Sequence, residues 1–154
     1  MRSILASTII VVSVGLFSTG LAHESSSLAR EGTLDAAPQA SAKTTADPVY
    51  SDEQSTRGQA LSDKLCSSCH GDKLAGDVGP PLQGPDFLSG WKSKPVADLS
   101  EKIQTTMPQD AAGSLNPQQV VDLMAYLFKL NGFPAGSSEL APGAGLAQIT
   151  IASK

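Results

Sequence analysis

Both cysteines of the 154-residue chain lie in one pentapeptide, Cys66-Ser67-Ser68-Cys69-His70. Two cysteines three positions apart at the end of a helix lie on one side of it, so both thiols can reach the two vinyl groups of one porphyrin. The histidine that follows can direct its imidazole toward the porphyrin iron from the same side. The spacing therefore predicts covalent attachment of a single haem through Cys66 and Cys69, with His70 as an axial ligand.

Other uses of a cysteine pair fit the sequence less well. A thioredoxin-like redox pair belongs near a strand–helix–strand unit, and no strong strand precedes Cys66. A structural zinc site takes four ligands, whereas the chain offers two cysteines and two histidines, one of them the distant His23. A structural disulfide between Cys66 and Cys69 is the remaining alternative.

A predicted helix leads into the pentapeptide. Ser51 and Gln54 have the spacing of a capping box, which predicts a helix from about Asp52 to Leu65. Gly58 inside this helix favours a close crossing with another helix, because an interior glycine otherwise only weakens a helix.

Two more helices are predicted beyond the pentapeptide. Residues 71–90 hold five glycines and three prolines, a composition that predicts a loop rather than a helix or a strand. A helix is then predicted over residues 95–106, ending before Met107-Pro108 because the residue before a proline is pushed out of the helical region. The last helix is predicted between Asn116-Pro117 and Asn131-Gly132. Its apolar positions recur at helical spacing: Val120, Leu123, Met124, Leu127 and Leu130.

The composition suggests that the core needs a cofactor. A domain over residues 49–133 is so small that it buries only about 60% of its surface, and it is marginal unaided. Aromatic residues make up only 5% of the chain, and a large buried cofactor would supply the missing apolar bulk. The net charge of −4 argues against nucleic-acid binding, since neutralising phosphates takes a basic patch.

On these motifs the chain resembles the class I monohaem c-type cytochromes, over about residues 50–133. The resemblance implies an all-α fold of three or more helices wrapped around one haem c, with long Gly/Pro loops. Gly79-Pro80-Pro81-Leu82 is similar to the family's loop after the haem, in which the carbonyl matching that of Pro80 accepts the Nδ1 proton of the iron-bound histidine. Thr105-Thr106-Met107-Pro108 resembles the segment that carries the second axial ligand, which implies Met107 in that role.

The methionine assignment also has support from the residues alone. Met124 lies on the apolar stripe of the last helix and is expected to fill the core. Met107 lies in a non-helical segment held by Pro108, and His23 would have to fold over from a distant segment. An open or water-bound iron is the alternative to ligation by Met107.

Further pocket residues follow from the resemblance. Tyr126 and Gly58 match the family's crossing of first and last helices, and Leu82 lies in the loop near the haem. Trp91, the only tryptophan, is either a core aromatic or, as is habitual in the family, a donor to a haem propionate. Ser62 is a departure, because the family often has an aromatic residue four positions before the first cysteine.

The ends of the chain have separate expected roles. Residues 1–22 have the features of a secretory signal peptide: a basic Arg2, an apolar run from Ile4 to Phe17 and a small-x-small cleavage site at residues 20–22. An uncleaved N-terminal anchor is the alternative. Residues 23–48 are expected to form a flexible, low-complexity tether. Residues 134–154 are a C-terminal extension that either docks on the domain or frays.

Ligation by histidine and methionine fills both axial positions of a haem iron, which favours a one-electron carrier without catalytic residues. We expect an exported, periplasmic monomer whose partners are redox proteins, either a dehydrogenase or a terminal oxidase, with no membrane span after signal cleavage. One alternative is a dedicated electron-accepting subunit of a quinoprotein or other periplasmic dehydrogenase, because residues 133–151 are similar to extensions on such cytochromes. Another is a haem sensor or catalytic centre with a labile sixth ligand.

Overall fold

A computed structural model of the protein describes residues 42–154, most of which lie in helices and the loops between them. The helices are α1 (Asp52–Leu65), the short α2 (Ser67–His70), α3 (Gly84–Trp91), α4 (Val96–Thr106) and α5 (Pro117–Leu130). Two short strands, β1 (Lys43–Thr44) and β2 (Ile149–Thr150), pair in parallel. The predicted all-α fold is confirmed. Within the described range, no helix has the length and apolarity needed to cross a membrane.

Helices α1 and α5 cross at very short distance. A Cβ atom added at Gly58 would lie 1.9 Å from the carbonyl oxygen of Asp122 and 3.0 Å from Cβ of Tyr126. Only glycine allows the two backbones to approach so closely, and the crossing predicted from Gly58 is confirmed. Ser62, one turn further along α1, is also buried on this face.

The cap of α1 differs in part from the prediction. The Ser51 hydroxyl accepts a hydrogen bond from the Gln54 backbone N–H at 3.1 Å, as in a capping box. The Gln54 side chain does not return to the cap, because it binds both backbone groups of Leu140, at 2.9 Å and 2.8 Å. A complete capping box is found at α5, between Asn116 and Gln119.

The prediction of a continuous loop over residues 71–90 is wrong at its C-terminal end, where α3 forms. Gly84-Pro85 opens this helix, with proline in the first turn, where its missing N–H is not needed. Phe87 is buried, and its ring centroid lies 6.3 Å from that of Trp91, one turn later. The composition of residues 71–90 is rich in glycine and proline, so the helical spacing of Phe87 and Trp91 is not apparent from it.

The C-terminal extension packs against the rest of the domain. Leu140, Leu146 and Ile151 are each buried to less than 5% exposure. Strand β2 pairs with β1, and the buried Thr45 hydroxyl accepts a hydrogen bond from the Ala152 N–H at 3.0 Å. Residues 42–48 are thus part of the fold, which corrects the expected tether of residues 23–48. Residues 23–41 and the expected signal peptide lie outside the described residues.

Candidate haem site

The pentapeptide is a single turn of helix that follows α1. Cys66 ends α1, and its N–H donates to the carbonyl of Ser62 at 2.9 Å. The Cys66 carbonyl in turn accepts from the N–H groups of Cys69 and His70, at 3.1 Å and 2.9 Å. Cys66 is half-buried and Cys69 is exposed, and both thiols are free. The two sulfurs and the imidazole are therefore carried by one rigid turn.

His70 has its ring oriented by the loop that follows. The imidazole is buried at 7% exposure, and Nδ1 lies 2.7 Å from the carbonyl oxygen of Pro80. A carbonyl oxygen can only accept, so Nδ1 carries the proton and donates it. This bond leaves Nε2 as the nitrogen with a free lone pair, the one that can bind a metal.

The loop is held close to the imidazole by its backbone. The Gly79 N–H donates to the Cys69 carbonyl, and the Gly76 N–H donates to the His70 carbonyl, both at 2.7 Å. A Cβ atom at Gly79 would lie 3.1 Å from both Cε1 and Nδ1 of His70. The ring thus packs against bare backbone, and a side chain at residue 79 would displace it.

Other predicted pocket residues come from different elements. Met107 follows the last residue of α4 in extended conformation and is half-buried, with its N–H donating to Ile103 at 3.0 Å. Trp91 ends α3, half-buried, with Lys94 Nζ 5.0 Å from its ring centroid. Leu82 is half-buried, and its N–H donates to the Leu74 carbonyl at 2.9 Å. Hydrogen bonds join His70 to Pro80 directly, whereas Met107 and Trp91 are placed by helix ends.

Burial changes the acidity of two groups near the α1–α5 crossing. It raises the pKa of the Cys66 thiol, and the neighbouring Cys69 sulfur raises it further. Burial also raises the pKa of Tyr126, and the charges of Asp63 and Asp72 add to the effect. Both residues therefore stay protonated at neutral pH unless the thiol is converted to a thioether.

Asn131 is a residue near the site that sequence reasoning assigned only to the end of a helix. Its side-chain Nδ2 donates to the carbonyl of Leu82 at 3.1 Å and to that of Leu127 at 2.8 Å. Its Oδ1 accepts from the Gly84 N–H at 2.9 Å. The sequence contains no local pattern for these contacts, because their partners lie 47 and 49 positions earlier.

The residues present fit a haem c. Two free thiols share one helical turn with an imidazole whose Nε2 is free, and a glycine cradles that ring. Apolar side chains that are only partly buried pack against the core on the neighbouring elements: Leu82, Leu88, Trp91 and Ile103. Over residues 42–154 no three His, Cys, Asp or Glu side chains are grouped to hold a metal ion directly.

Known proteins are similar to this chain over part of its length. Residues 53–127 match the family model described as cytochrome c oxidase, cbb3-type, subunit III. No curated protein sequence matches the chain. A similar solved chain belongs to the crystal structure of the sulfane dehydrogenase SoxCD from Paracoccus pantotrophus, at 23% identity and a TM-score of 0.44. That match covers 57% of this chain and 53% of the other, so this chain spans about half of its length.

The matched residues include the pentapeptide, Met107 and Tyr126. Together with the all-helical fold, the match shows a c-type cytochrome domain, consistent with the class I monohaem cytochromes. Such a domain binds haem c covalently and transfers electrons.

Proposed function

We propose that this c-type cytochrome domain is a one-electron carrier with one haem c attached at Cys66 and Cys69 and with His70 and Met107 as axial ligands. The observation that supports this most directly is the 2.7 Å hydrogen bond from His70 Nδ1 to the Pro80 carbonyl. This bond fixes the tautomer in which Nε2 is the ligand nitrogen, and it makes the imidazole a stronger donor.

The surroundings of the two described methionines support Met107 as the second ligand. Met124 is fully buried within α5 and fills the core. Met107 is half-buried in an extended segment beyond α4, outside the packed core that holds Met124. A thioether is a soft ligand that stabilises ferrous over ferric iron and raises the reduction potential.

The chemistry at the site then follows from the ligands. A bound haem supplies an iron that changes between the ferrous and ferric states by one electron. His70 and Met107 would hold the iron and leave no position for oxygen or peroxide, while Cys66 and Cys69 would hold the porphyrin through thioether links. The protein thus tunes and presents the redox centre without itself acting as an acid or a base.

The partner is proposed to be another redox protein outside the cytoplasmic membrane. The matched family is named for a subunit of a cytochrome c oxidase, which favours a terminal oxidase as the exchange partner, with a dehydrogenase as the alternative. Export rests on the proposed signal peptide, for which the expected mature N-terminus is His23. A mature chain that still begins at Met1 or Arg2 would contradict cleavage.

The decisive experiment is a pyridine haemochrome spectrum of protein made in a host able to mature c-type cytochromes, followed by addition of carbon monoxide to the ferrous form. We expect one haem per chain with two thioether links and no prompt change with carbon monoxide. Colourless protein, or protein with free thiols, would refute the proposal. A prompt and complete change with carbon monoxide would instead indicate an open iron, as in a sensor or a catalytic centre.

A further inference from the structure

Asn131 links the end of α5 to the loop that orients His70. The side chain is 7% exposed, and all three of its hydrogen bonds are formed with backbone groups. One bond, to Leu127, stays within α5 and caps it in the ordinary way. The other two leave the helix for the carbonyl of Leu82 and the N–H of Gly84. A residue that served only to end the helix would not need them.

The loop between these contacts and the imidazole is short. Pro80, whose carbonyl accepts from His70, is separated from Leu82 by a single residue. Leu82 is held a second time through its N–H, which donates to the Leu74 carbonyl at 2.9 Å. Gly84 has φ +78°, a conformation that a side chain would strain. The Asn131 amide therefore holds the chain immediately after Pro80 on both sides of Gln83.

We propose that Asn131 is a positioning residue for His70, which acts by holding the segment 80–84 so that the Pro80 carbonyl stays within hydrogen-bond reach of Nδ1. The inference rests on the proposed function, in which His70 binds a haem iron. A carbonyl that moves away weakens the bond to Nδ1 and makes the imidazole a poorer donor to ferric iron. Asn131 thus tunes the redox centre without contacting it.

Replacement by leucine tests this role because Asn131→Leu keeps the shape of the side chain and removes all three bonds. In the haem-loaded ferrous protein, we expect the His70 ring N–H to exchange with deuterium about tenfold faster by NMR, since opening then costs one or two hydrogen bonds less. We also expect a higher midpoint potential than in the wild type.

The matched control is Tyr50→Phe. The Tyr50 hydroxyl donates to the Phe133 carbonyl at 2.7 Å, so this variant also removes a buried hydrogen bond just beyond the end of α5. It does not touch the segment 80–84. We expect its Tm to fall while its ring N–H exchange rate and midpoint potential stay at wild-type values.

If the leucine variant does not mature with haem, Asn131→Asp replaces it in the exchange measurement. It keeps an acceptor for Gly84 and loses the donor to Leu82, so we expect ring exchange at a rate between the wild type and the leucine variant. Its added charge shifts the potential by itself, and only the exchange rate is compared.

The possible outcomes separate the two claims. The positioning role alone is overturned if the His70 ring N–H exchanges at the wild-type rate in the Asn131 variant that matures. It is also overturned if the midpoint potential of Asn131→Leu is equal to or below that of the wild type, or if Tyr50→Phe changes the exchange rate and the potential as much as Asn131→Leu does. A wild-type protein that lacks the haem with two thioethers would overturn the proposed function and this inference with it.

Discussion

Met107 and Met124 have the same side chain in different surroundings, and we propose different roles for them on that basis. Met124 lies on the buried side of α5 and is inaccessible to solvent, which makes it a core residue. Met107 lies beyond the last turn of α4 and is only partly buried. Local sequence already separates the two, because one falls on a helical repeat and the other comes before a proline.

Replacing Met107 by alanine tests its role as a ligand. Loss of the thioether should lower the midpoint potential by on the order of 0.1 V, within the range of about 0.8 V that axial ligands cover. The ferrous variant should bind carbon monoxide promptly, while the haemochrome spectrum still reports two thioethers. Redox titration and carbon monoxide spectra measure both effects.

The control for Met107→Ala is Met124→Leu, a swap that conserves volume in the core. It should cost less than about 1.5 kcal/mol of stability and leave the potential unchanged. A wild-type potential in Met107→Ala would exclude Met107 as a ligand.

Among the elements, the crossing of α1 and α5 matters most for the site. Helix α1 ends at Leu65, so its position on α5 determines where Cys66 and the following turn lie. The close approach at Gly58 places the Asp122 carbonyl against the α1 backbone. Tyr126 packs beside the same contact, and Ser62 takes the place where the family often has an aromatic side chain. A small side chain there suits the close approach.

Gly58→Ala should therefore destabilise the domain by about 3 kcal/mol, because the added Cβ overlaps backbone and forces the helices apart. Urea denaturation of the haem-loaded protein measures the loss. Gly90→Ala is the matched control, since Gly90 lies in helix α3 and no atom lies within 4 Å of the added Cβ. That variant should gain up to about 1 kcal/mol. Equal stability in the two variants would contradict the close crossing.

On the scale of the whole molecule, the C-terminal extension is fastened to the N-terminal half of the domain. Gln54 binds Leu140, and the Gly136 N–H donates to the Tyr50 carbonyl at 2.7 Å. Arg57 joins Asp122 of α5 to Glu139 of the extension. Further on, Ile151 exchanges backbone hydrogen bonds with Ser93 and Lys94, next to Trp91. The extension thus braces α1, α5 and the chain after α3.

Gln54→Leu should loosen the extension. The substitution leaves the N–H and carbonyl of Leu140 without partners, and at about 1–3 kcal/mol for each buried group the loss of stability should be about 2 kcal/mol or more. Cleavage within residues 134–154 should become faster in limited proteolysis, while the haem spectrum stays unchanged because no contact of His70 is altered.

Glu139→Gln is the control for Gln54→Leu. It removes an exposed ion pair with Arg57, and such pairs contribute little. Equal proteolysis in the two variants would show that the Gln54 contact does not hold the extension.

Features that depend on local spacing can be predicted from the amino-acid sequence. The bounds of α1, α4 and α5 and the close crossing at Gly58 all follow from periodicity, caps and glycine placement, and the spacing of Cys66, Cys69 and His70 is what predicts haem attachment. The bond from His70 to Pro80 could also be anticipated, since its partners lie only 10 positions apart in a loop that resembles a known one. These features are visible because each is encoded within a few turns of chain.

Contacts between segments far apart in the chain became visible only in the folded molecule. Gln54 leaves its own helix cap for Leu140, 86 positions away, and Asn131 reaches back 49 positions to Leu82. Strand β1 forms only because β2 returns beside it. The sequence around a polar side chain does not indicate its hydrogen-bond partner, because a local helix cap and a distant backbone group offer the same kind of hydrogen bond. Burial in the folded chain determines which of the two partners the side chain binds.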